Sequence, residues 1–263
     1  MTSSVNLFSD EPLGKPLPVR KWKPYPAYKD SGVEWLGEIP AHWKVCRLKT
    51  LTSFVTSGSR GWAQHYNDNG ATFLRISNLS RTSIDLDLRN IQHVSPPQGA
   101  EGERTRVHRY DMLISITAYI GSVAVVADDI GEAYVNQHIA LTRLRQRAIA
   151  ARWLGYCLFS EIGQSQFRLL LYGGTKDGLG LDDVLNLFVL IPPISEQCAI
   201  ATFVDRETTK IDALIAKINK AIERLREYRT ALISAAVTGK INVRNVGAGF
   251  QPSPTEADHD RLF

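Results

Sequence analysis

The strongest constraint on the fold is a long stretch without proline or glycine, residues 196–238. Pro192 and Pro193 precede it and Gly239 follows it. Proline interrupts regular structure, and glycine is common just beyond the last residue of a helix. We therefore predict a single helix with Ser195 as its N-cap and Glu196 in the first turn, where the helix dipole favours an anion. At 1.5 Å per residue, this helix is about 64 Å long.

Apolar residues recur along this predicted helix at alternating steps of four and three. Together they form what we call the apolar seam: Ile211, Ile215, Ile218, Ile222, Leu225, Leu232 and Ala236. Only Arg229 interrupts the pattern. Such a pattern is typical of a coiled coil, and a long helix with an exposed apolar stripe needs a partner. The alternative is that the helix folds back on its own domain, but the narrow heptad stripe suits another helix better.

Before the helix, the apolar residues form short β-rich runs at 72–76, 112–116, 123–126 and 139–144. Glycine, asparagine, aspartate and proline separate these runs, as expected for strands joined by turns. Helical patterns cover residues 148–171 and 182–187. The sequence thus predicts an α+β (mixed α/β) domain followed by a long helix, but not the order of the strands.

The sequence divides into four predicted regions. Residues 1–40 are rich in proline and aromatic residues, and they either wrap on a surface or form a disordered leader. Residues 41–191 form the mixed domain, residues 192–243 contain the helix, and residues 244–263 form a flexible tail.

The composition limits the classes of function. A net charge of +4 permits a polyanionic partner but does not require one. The three cysteines lie far apart, which excludes a Cys-x-x-Cys zinc or redox motif and fits a reducing cytosol. Neither a signal peptide nor an apolar run of about 18 residues is present. We therefore expect a soluble cytoplasmic protein without a membrane partner.

Two short strings are similar to catalytic motifs but lack residues that those motifs require. Residues 95–98 (SPPQ) are similar to the proline pair of amino-methyltransferases, yet Gln98 stands where an aromatic side chain would stack on the base. Residues 173–178 (GGTKDG) lack the spacing of a phosphate-binding Walker loop. The histidines are scattered, without a metal-ligand pair at helical spacing. We therefore expect a chain that binds without catalysing and carries neither a metal nor a cofactor.

Several polar residues in predicted loops are suited to contacting DNA. Arginine, asparagine and glutamine can form bidentate hydrogen bonds with guanine or adenine, and a glycine loop with a lysine can approach a phosphate. Each residue taken singly is also compatible with a solvated or packing role. The predicted DNA-binding residues are Arg60, Trp62, Gln64, Arg75, Asn78, Arg81, Asn136, Gln137, Gly174 and Lys176.

The chain resembles the specificity subunits of type I restriction-modification systems. Two long stretches carry the more specific similarity. The N-terminal one is residues 25–40 (YPAYKDSGVEWLGEIP), followed by His42 and Trp43. The C-terminal one comprises residues 191–200 (IPPISEQCAI), 211–212 (ID) and 236–241 (AVTGKI). Looser similarity lies in residues 73–79 (FLRISNL), 111–121 (DMLISITAYIG) and 136–140 (NQHIA). Together these stretches span nearly the whole chain.

The resemblance implies a division of labour. A target-recognition domain reads one half of a bipartite site in double-stranded DNA, and long helices dock the modification methyltransferase subunits and set the distance between half-sites. Methylation and restriction belong to other chains. Any S-adenosylmethionine, ATP and magnesium would therefore be bound by those partner subunits.

Ordinary family members carry two recognition domains and two long helices, whereas this sequence shows one of each. The resemblance therefore implies a half-length subunit that forms a homodimer through an antiparallel coiled coil and reads two inverted, identical half-sites. At 3.4 Å per base step, about 64 Å covers roughly 19 base pairs. Three alternatives stay open: pairing with a different half-subunit, a coiled-coil adaptor that binds protein, and a methyltransferase or nuclease with an unrecognised site. The bases recognised are not predicted.

Overall fold

The computed structural model describes residues 23–58, 60–96, 99–127, 130–145, 150–171 and 178–243. The chain divides into two compact units, Met1–Thr202 and Phe203–Phe263. Residues 1–22 of the predicted N-terminal region and the predicted tail from 244 onwards lie outside the described residues. The four predicted region boundaries stay predictions.

The secondary structure of the described residues mixes short strands with helices. The strands are β1 (Tyr28–Asp30), β2 (Glu38–Pro40), β3 (Lys44–Arg47), β4 (Thr52–Ser57), β5 (Tyr66–Asn67), β6 (Ala71–Leu74), β7 (Gln92–Val94), β8 (Met112–Ser115), β9 (Val123–Val125), β10 (Ala133–Val135), β11 (Ile139–Leu144) and β12 (Phe188–Ile191). The helices are α1 (Ala100–Thr105), α2 (Ala151–Phe159), α3 (Glu161–Leu171), α4 (Leu181–Leu185) and α5 (Ile194–Val237). The predicted fold class, an α+β domain followed by a long helix, is confirmed.

Two four-stranded sheets form the body of the first unit. One is antiparallel, with the order β4-β11-β8-β9, and the other has the order β10-β6-β7-β5, in which β10 and β6 run parallel. Two further strand pairs, β1 with β2 and β12 with β3, are antiparallel. The central strand β8 and its neighbour β9 at the sheet edge are wholly buried, as expected for a sheet covered on both faces.

The prediction of one helix over residues 148–171 is wrong, because the chain breaks at Ser160 into α2 and α3. Ser160 has extended backbone angles, and its N–H donates to the Tyr156 carbonyl at the end of α2. Its own carbonyl accepts from the N–H groups of Gly163 and Gln164 and so begins α3. A β-carbon on Gly163 would lie 2.0 Å from the Leu158 carbonyl oxygen, so this tight turn depends on glycine.

The N-terminal residues that the structure describes pack on the domain. Strands β1 and β2 form a hairpin, and Ile39 and Trp43 belong to the main hydrophobic core. The Trp43 ring meets Trp153 of α2 edge-on, with 5.4 Å between ring centroids. From residue 23 onwards, the segment thus wraps on the domain surface.

The long helix α5 contains 44 residues and begins slightly earlier than predicted. Ser195 is not its N-cap, because the carbonyl of Pro193 accepts the first N–H groups, from Glu196 at 2.9 Å and Gln197 at 3.0 Å. Gly239 has the left-handed φ of 70° expected beyond a helix end. No helix in the described part of the chain is both long and apolar enough to cross a membrane.

The first two turns of α5 belong to the first unit and are fixed there by buried side chains. The Gln197 side chain accepts the Ala150 N–H at 2.9 Å and donates to the Pro192 carbonyl at 2.8 Å. Ala201 packs into the main core one turn later. The start of the helix is therefore tied to the strands and helices of the mixed domain.

Candidate nucleic-acid interface

Four loops leave the two sheets at the same edge. Strands β6 and β10 are parallel and paired through Leu74 and Val135, so both end there. The chain then passes from β10 through residues 136–138 into β11, whose first residue, Ile139, faces Ser115 at the end of β8. Ser57 at the end of β4 pairs with the neighbouring Ala140. We call this the loop edge and define it as residues 58, 60, 61, 75–81, 116–122 and 136–138.

The loop edge is positively charged. Its ionisable side chains are three arginines and one histidine, without an aspartate or glutamate: Arg60, Arg75, Arg81 and His138. The connection beyond residue 81 contains Asp85 and Asp87, but Arg152 and Arg89 pair with them. By contrast, Glu132 precedes β10 at the opposite edge. A basic edge without acidic residues favours a polyanion such as the DNA backbone.

A glycine brings two of these loops together. The Gly58 N–H donates to the Ile139 carbonyl at 3.2 Å, and a β-carbon on Gly58 would lie 2.0 Å from the Asn136 carbonyl oxygen. Any larger residue at position 58 would push the two backbones apart. The close approach therefore sets the position of exposed Arg60, two residues later, relative to the 136–138 turn.

The predicted DNA-binding residue Trp62 has a packing role in this structure. It is 3% exposed, stacks on Phe73 with 5.6 Å between ring centroids, and contacts Tyr134 at 5.4 Å. Trp62 thereby anchors the loop on the sheet. Gln64 is exposed, but the carbonyl of its neighbour His65 accepts the N–H of Ser95, which follows β7 at the end of the sheet opposite the loop edge. Gln64 therefore lies away from the loop edge.

Asn78 also holds a loop together. The side chain is 1% exposed: its carbonyl oxygen accepts the Arg75 N–H, and its amide donates to the carbonyls of Asp87 and Asn90. Arg75 itself is half-buried at the end of β6, and its Nε is buried without a hydrogen-bond partner among the described residues. Arg75 lies at the end of β6, where the loop edge begins, so it stays a candidate for contact with DNA.

The predicted polar turn before β11 joins two loops of the edge. The buried Asn136 caps the turn by accepting the His138 N–H, whereas Gln137 is half-buried. The amide of Gln137 lies 2.9 Å from His138 Nε2, and His138 Nδ1 lies 2.9 Å from the Thr117 hydroxyl. Donation from Gln137 to Nε2 would make Nδ1 the protonated nitrogen. This chain of hydrogen bonds links the 136–138 turn to the 116–122 loop.

Arg81 completes the set of edge arginines. Its guanidinium lies over the ring of Tyr119, 4.9 Å from the centroid, in a cleft of about 390 Å³. Tyr119 was not among the residues predicted from the sequence, because its exposure and its backbone angle become visible only in the fold. Arg104, which donates to the Ser57 carbonyl at the end of β4, was not predicted either.

The predicted phosphate-contacting residues Gly174 and Lys176 lie outside the described residues. Leu179, which follows the glycine loop in the sequence, donates its N–H to the Ile116 carbonyl at 2.7 Å. The end of the glycine loop therefore reaches the 116–122 loop.

The apolar seam of α5 is a second candidate interface. In the second unit the seam side chains from Ile211 to Leu232 are exposed, with Leu225 reaching 67%. Leu214 and Tyr228 flank the seam and are exposed as well, so the apolar stripe is wider than the predicted seam. No group of His, Cys, Asp or Glu suited to a metal ion occurs in the described part of the chain.

Comparison with known proteins assigns the class of this architecture. Solved structures with a similar fold include a chain from a study of complex assembly and conformational transition of the type I R-M system, with a TM-score of 0.59, 21% identity, and coverage of 80% of this chain and 48% of that chain. Another is the HsdS subunit of Thermoanaerobacter tengcongensis, with a TM-score of 0.51, 21% identity, and coverage of 71% and 41%. This chain thus shares its fold with these two proteins.

The sequence comparisons give the family. Residues 41–224 match the model of the type I restriction modification DNA specificity domain. Relatives include the EcoBI specificity subunit of Escherichia coli, 23% identical over 78% of this chain and 43% of the relative, and the MjaVIII specificity subunit of Methanocaldococcus jannaschii, 24% identical over 80% and 49%. The chain belongs to the type I DNA specificity family and spans about half the length of these curated relatives.

Proposed function

We propose that this chain is the DNA-recognition subunit of a type I restriction-modification complex and reads one half-site through its loop edge. The observation that carries the proposal is the convergence of four loops with arginines and without acidic residues at one edge of the family's recognition fold. Lysine and arginine contacts to phosphates supply much of the affinity for DNA, whereas contacts to base edges supply the specificity.

The contacts divide among the edge residues according to their exposure. Arg60, Arg75, Arg81 and Gln137 are the residues we propose to touch DNA. The buried or packed side chains Trp62, Asn78 and Asn136 hold the loops that present them. Lys176 and Gly174 would approach a phosphate, and Gln64 would contact DNA at the periphery.

The proposal places methylation and restriction on other chains. The curated relatives carry the name specificity subunit, which supports a chain that directs modification methyltransferase and restriction subunits without catalysis of its own. S-adenosylmethionine, ATP and magnesium would then be bound by those partner subunits, and this chain would bind no cofactor.

The exposed seam supports a homodimer. Two copies related by a two-fold axis would pair their α5 helices antiparallel, bury the stripe, and read two inverted, identical half-sites around an unread spacer. The 44 residues of α5 span about 66 Å, which limits the whole site to roughly 19 base pairs. The extra width given by Leu214 and Tyr228 leaves apolar surface for helices of the methyltransferase subunit.

The experiment is to assemble the full chain with its methyltransferase subunit, expose the complex to DNA of diverse sequence, and sequence the methylated positions. We expect a bipartite motif with inverted, identical halves, and light scattering should give two copies of this chain per complex. A motif with two different halves would indicate pairing with another half-subunit. Methylation without sequence preference, or methyl transfer by this chain alone, would contradict the proposed function.

A further inference from the structure

Tyr119 has a backbone conformation that side-chain-bearing residues rarely adopt. Its φ is 51°, in the left-handed region where the β-carbon crowds the backbone. Backbone outliers of this kind persist where the surrounding structure enforces them, and they cluster at functional sites. Glycine would adopt this backbone conformation more easily than tyrosine. The presence of a tyrosine therefore indicates that its side chain has a role.

The structure fixes Tyr119 through its carbonyl oxygen. The hydroxyl of Ser115 donates to that oxygen at 2.5 Å, and Ser122 donates both its hydroxyl at 3.0 Å and its N–H at 3.2 Å. Both serines are buried. Three donors from a buried framework therefore hold the residue, so the ring occupies a defined place at the loop edge.

The ring of Tyr119 is nevertheless 64% exposed, and its contact in the cleft is with the guanidinium of Arg81. Stacking on an aromatic ring uses the flat face of a guanidinium. A bidentate contact with guanine uses the N–H groups in its plane. The two interactions are compatible, and stacking reduces the freedom that Arg81 would lose on binding.

We propose that Tyr119 is a positioning residue that holds Arg81 ready to contact a guanine in the major groove of the half-site. The inference rests on the proposed function and adds to it one residue, one partner side chain and one base type. It predicts that Tyr119 affects the preference at a single base position, because it acts through one arginine.

The chain contains a matched control pair at the opposite edge of the sheets. Tyr110 also has a left-handed φ, 69°, is 49% exposed, and has Arg109 over its ring at 4.7 Å. It lies just before β8, whereas Tyr119 follows that strand. The Nε of Arg109 donates to the Ala127 carbonyl at 2.8 Å. Removing the Tyr110 ring thus repeats the chemical change away from the loop edge.

The test selects randomised duplex DNA with the full chain assembled with its methyltransferase subunit, and compares base preferences among variants. Tyr119→Gly is the main variant, because glycine adopts the left-handed conformation without strain. We expect Arg81→Ala and Tyr119→Gly to lose the guanine preference at the same position, by roughly 5- to 150-fold for Arg81→Ala. Tyr119→Phe, which keeps the ring, should retain it, and Tyr110→Gly should match the unchanged protein.

The outcomes separate the inference from the proposed function. If the unchanged complex selects no motif, both are overturned. Another outcome is that the complex selects a motif while Arg81→Ala loses a guanine preference that Tyr119→Gly keeps. In that case only the inference about Tyr119 is overturned. The inference is also overturned if Arg81→Ala keeps every base preference, because Arg81 then reads no base. It is overturned as well if Tyr119→Gly weakens binding equally for all sequences, because Tyr119 then does not act through one base contact.

Discussion

The phenol of Tyr25 donates a hydrogen bond to the carboxylate of Glu196, 171 residues away in the sequence. His42 Nε2 lies 2.8 Å from the same carboxylate, and Trp43 Nε1 donates to it at 3.2 Å. Glu196 lies in the first turn of α5, so Tyr25 of the N-terminal region and two side chains at the start of the mixed domain meet the beginning of the long helix. Burial disfavours the charged carboxylate and by itself raises the pKa of Glu196. The hydrogen bonds have the larger combined effect, so the pKa of this carboxyl lies below the ordinary 4.5.

This cluster leads to the prediction that Glu196→Gln destabilises the first unit above the ordinary carboxyl pKa. We expect a loss of about 1–2 kcal/mol near pH 7, the range for partly exposed hydrogen bonds to a charged group. Because folding lowers the pKa, the contribution of Glu196 is complete above 4.5 and disappears as the pH falls through the folded value. Urea unfolding of both proteins at several pH values should therefore show curves that converge in acid.

The control for Glu196→Gln is Glu34→Gln, which removes an exposed carboxylate of the same N-terminal segment. It should leave the unfolding free energy nearly unchanged at every pH. If the difference in unfolding free energy between the unchanged protein and Glu196→Gln became larger in acid, it would contradict the assigned role of the carboxylate.

A second prediction concerns the buried ion pair of Arg143 and Asp111. Two hydrogen bonds, of 2.9 and 2.7 Å, join the guanidinium to the carboxylate, which is 1% exposed. Arg143→Ala would leave a buried carboxylate without its cation, which typically costs about 3–5 kcal/mol. Chemical unfolding should show this loss, whereas Arg89→Ala, which breaks an equally well-formed Arg–Asp pair on the surface, should have a much smaller effect.

A third prediction follows from the close approach of Gly58 to the 136–138 turn. Gly58→Ala places a methyl group 2.0 Å from a backbone oxygen, so one of the two loops must move. We expect lower thermal stability and weaker specific DNA binding by the assembled complex, measured by calorimetry and fluorescence anisotropy. Gly180→Ala is the control, since its β-carbon would meet nothing nearer than a side-chain oxygen at 3.5 Å. Unchanged DNA affinity of Gly58→Ala would argue against a role for this edge.

These residues also show how far the sequence alone reaches. The long helix and the strands at 112–116, 123–126 and 139–144 were predictable, because hydrophobic periodicity and the positions of proline and glycine are local signals. The break at Ser160 was not, since a serine that caps two helices looks like an ordinary helical residue until the turn at Gly163 is seen packed.

The loop edge depends on pairing between distant strands, which the sequence does not encode locally. Arg75 and Asn136 become neighbours because β6 and β10 pair in parallel, although some sixty residues separate them. The exposure of individual side chains could not be predicted from the sequence either. Trp62 and Asn78 are residue types suited to contacting DNA, yet the fold buries both. Tyr119 was missed for the complementary reason, because only the backbone angle and its three hydrogen bonds distinguish it.

The last prediction tests whether the apolar seam pairs two copies of the chain. Ile218 lies in the middle of the seam and is exposed in the second unit, so the proposed dimer would bury it against the partner helix. Ile218→Asp would place a carboxylate in that apolar contact, where an unpaired charge is strongly unfavourable. We expect light scattering to change from two copies to one at micromolar concentration.

Ala213→Asp is the matched control for the seam, because it adds the same charge to the same helix outside the seam rows. It should remain dimeric, and both variants should keep their helix content by circular dichroism. Two copies in the Ile218→Asp protein would show that the seam does not hold the dimer. A single copy in both the unchanged protein and its complex would contradict the proposed homodimer. Since an inverted, identical pair of half-sites needs two recognition domains in one complex, that second result would also exclude a symmetric site.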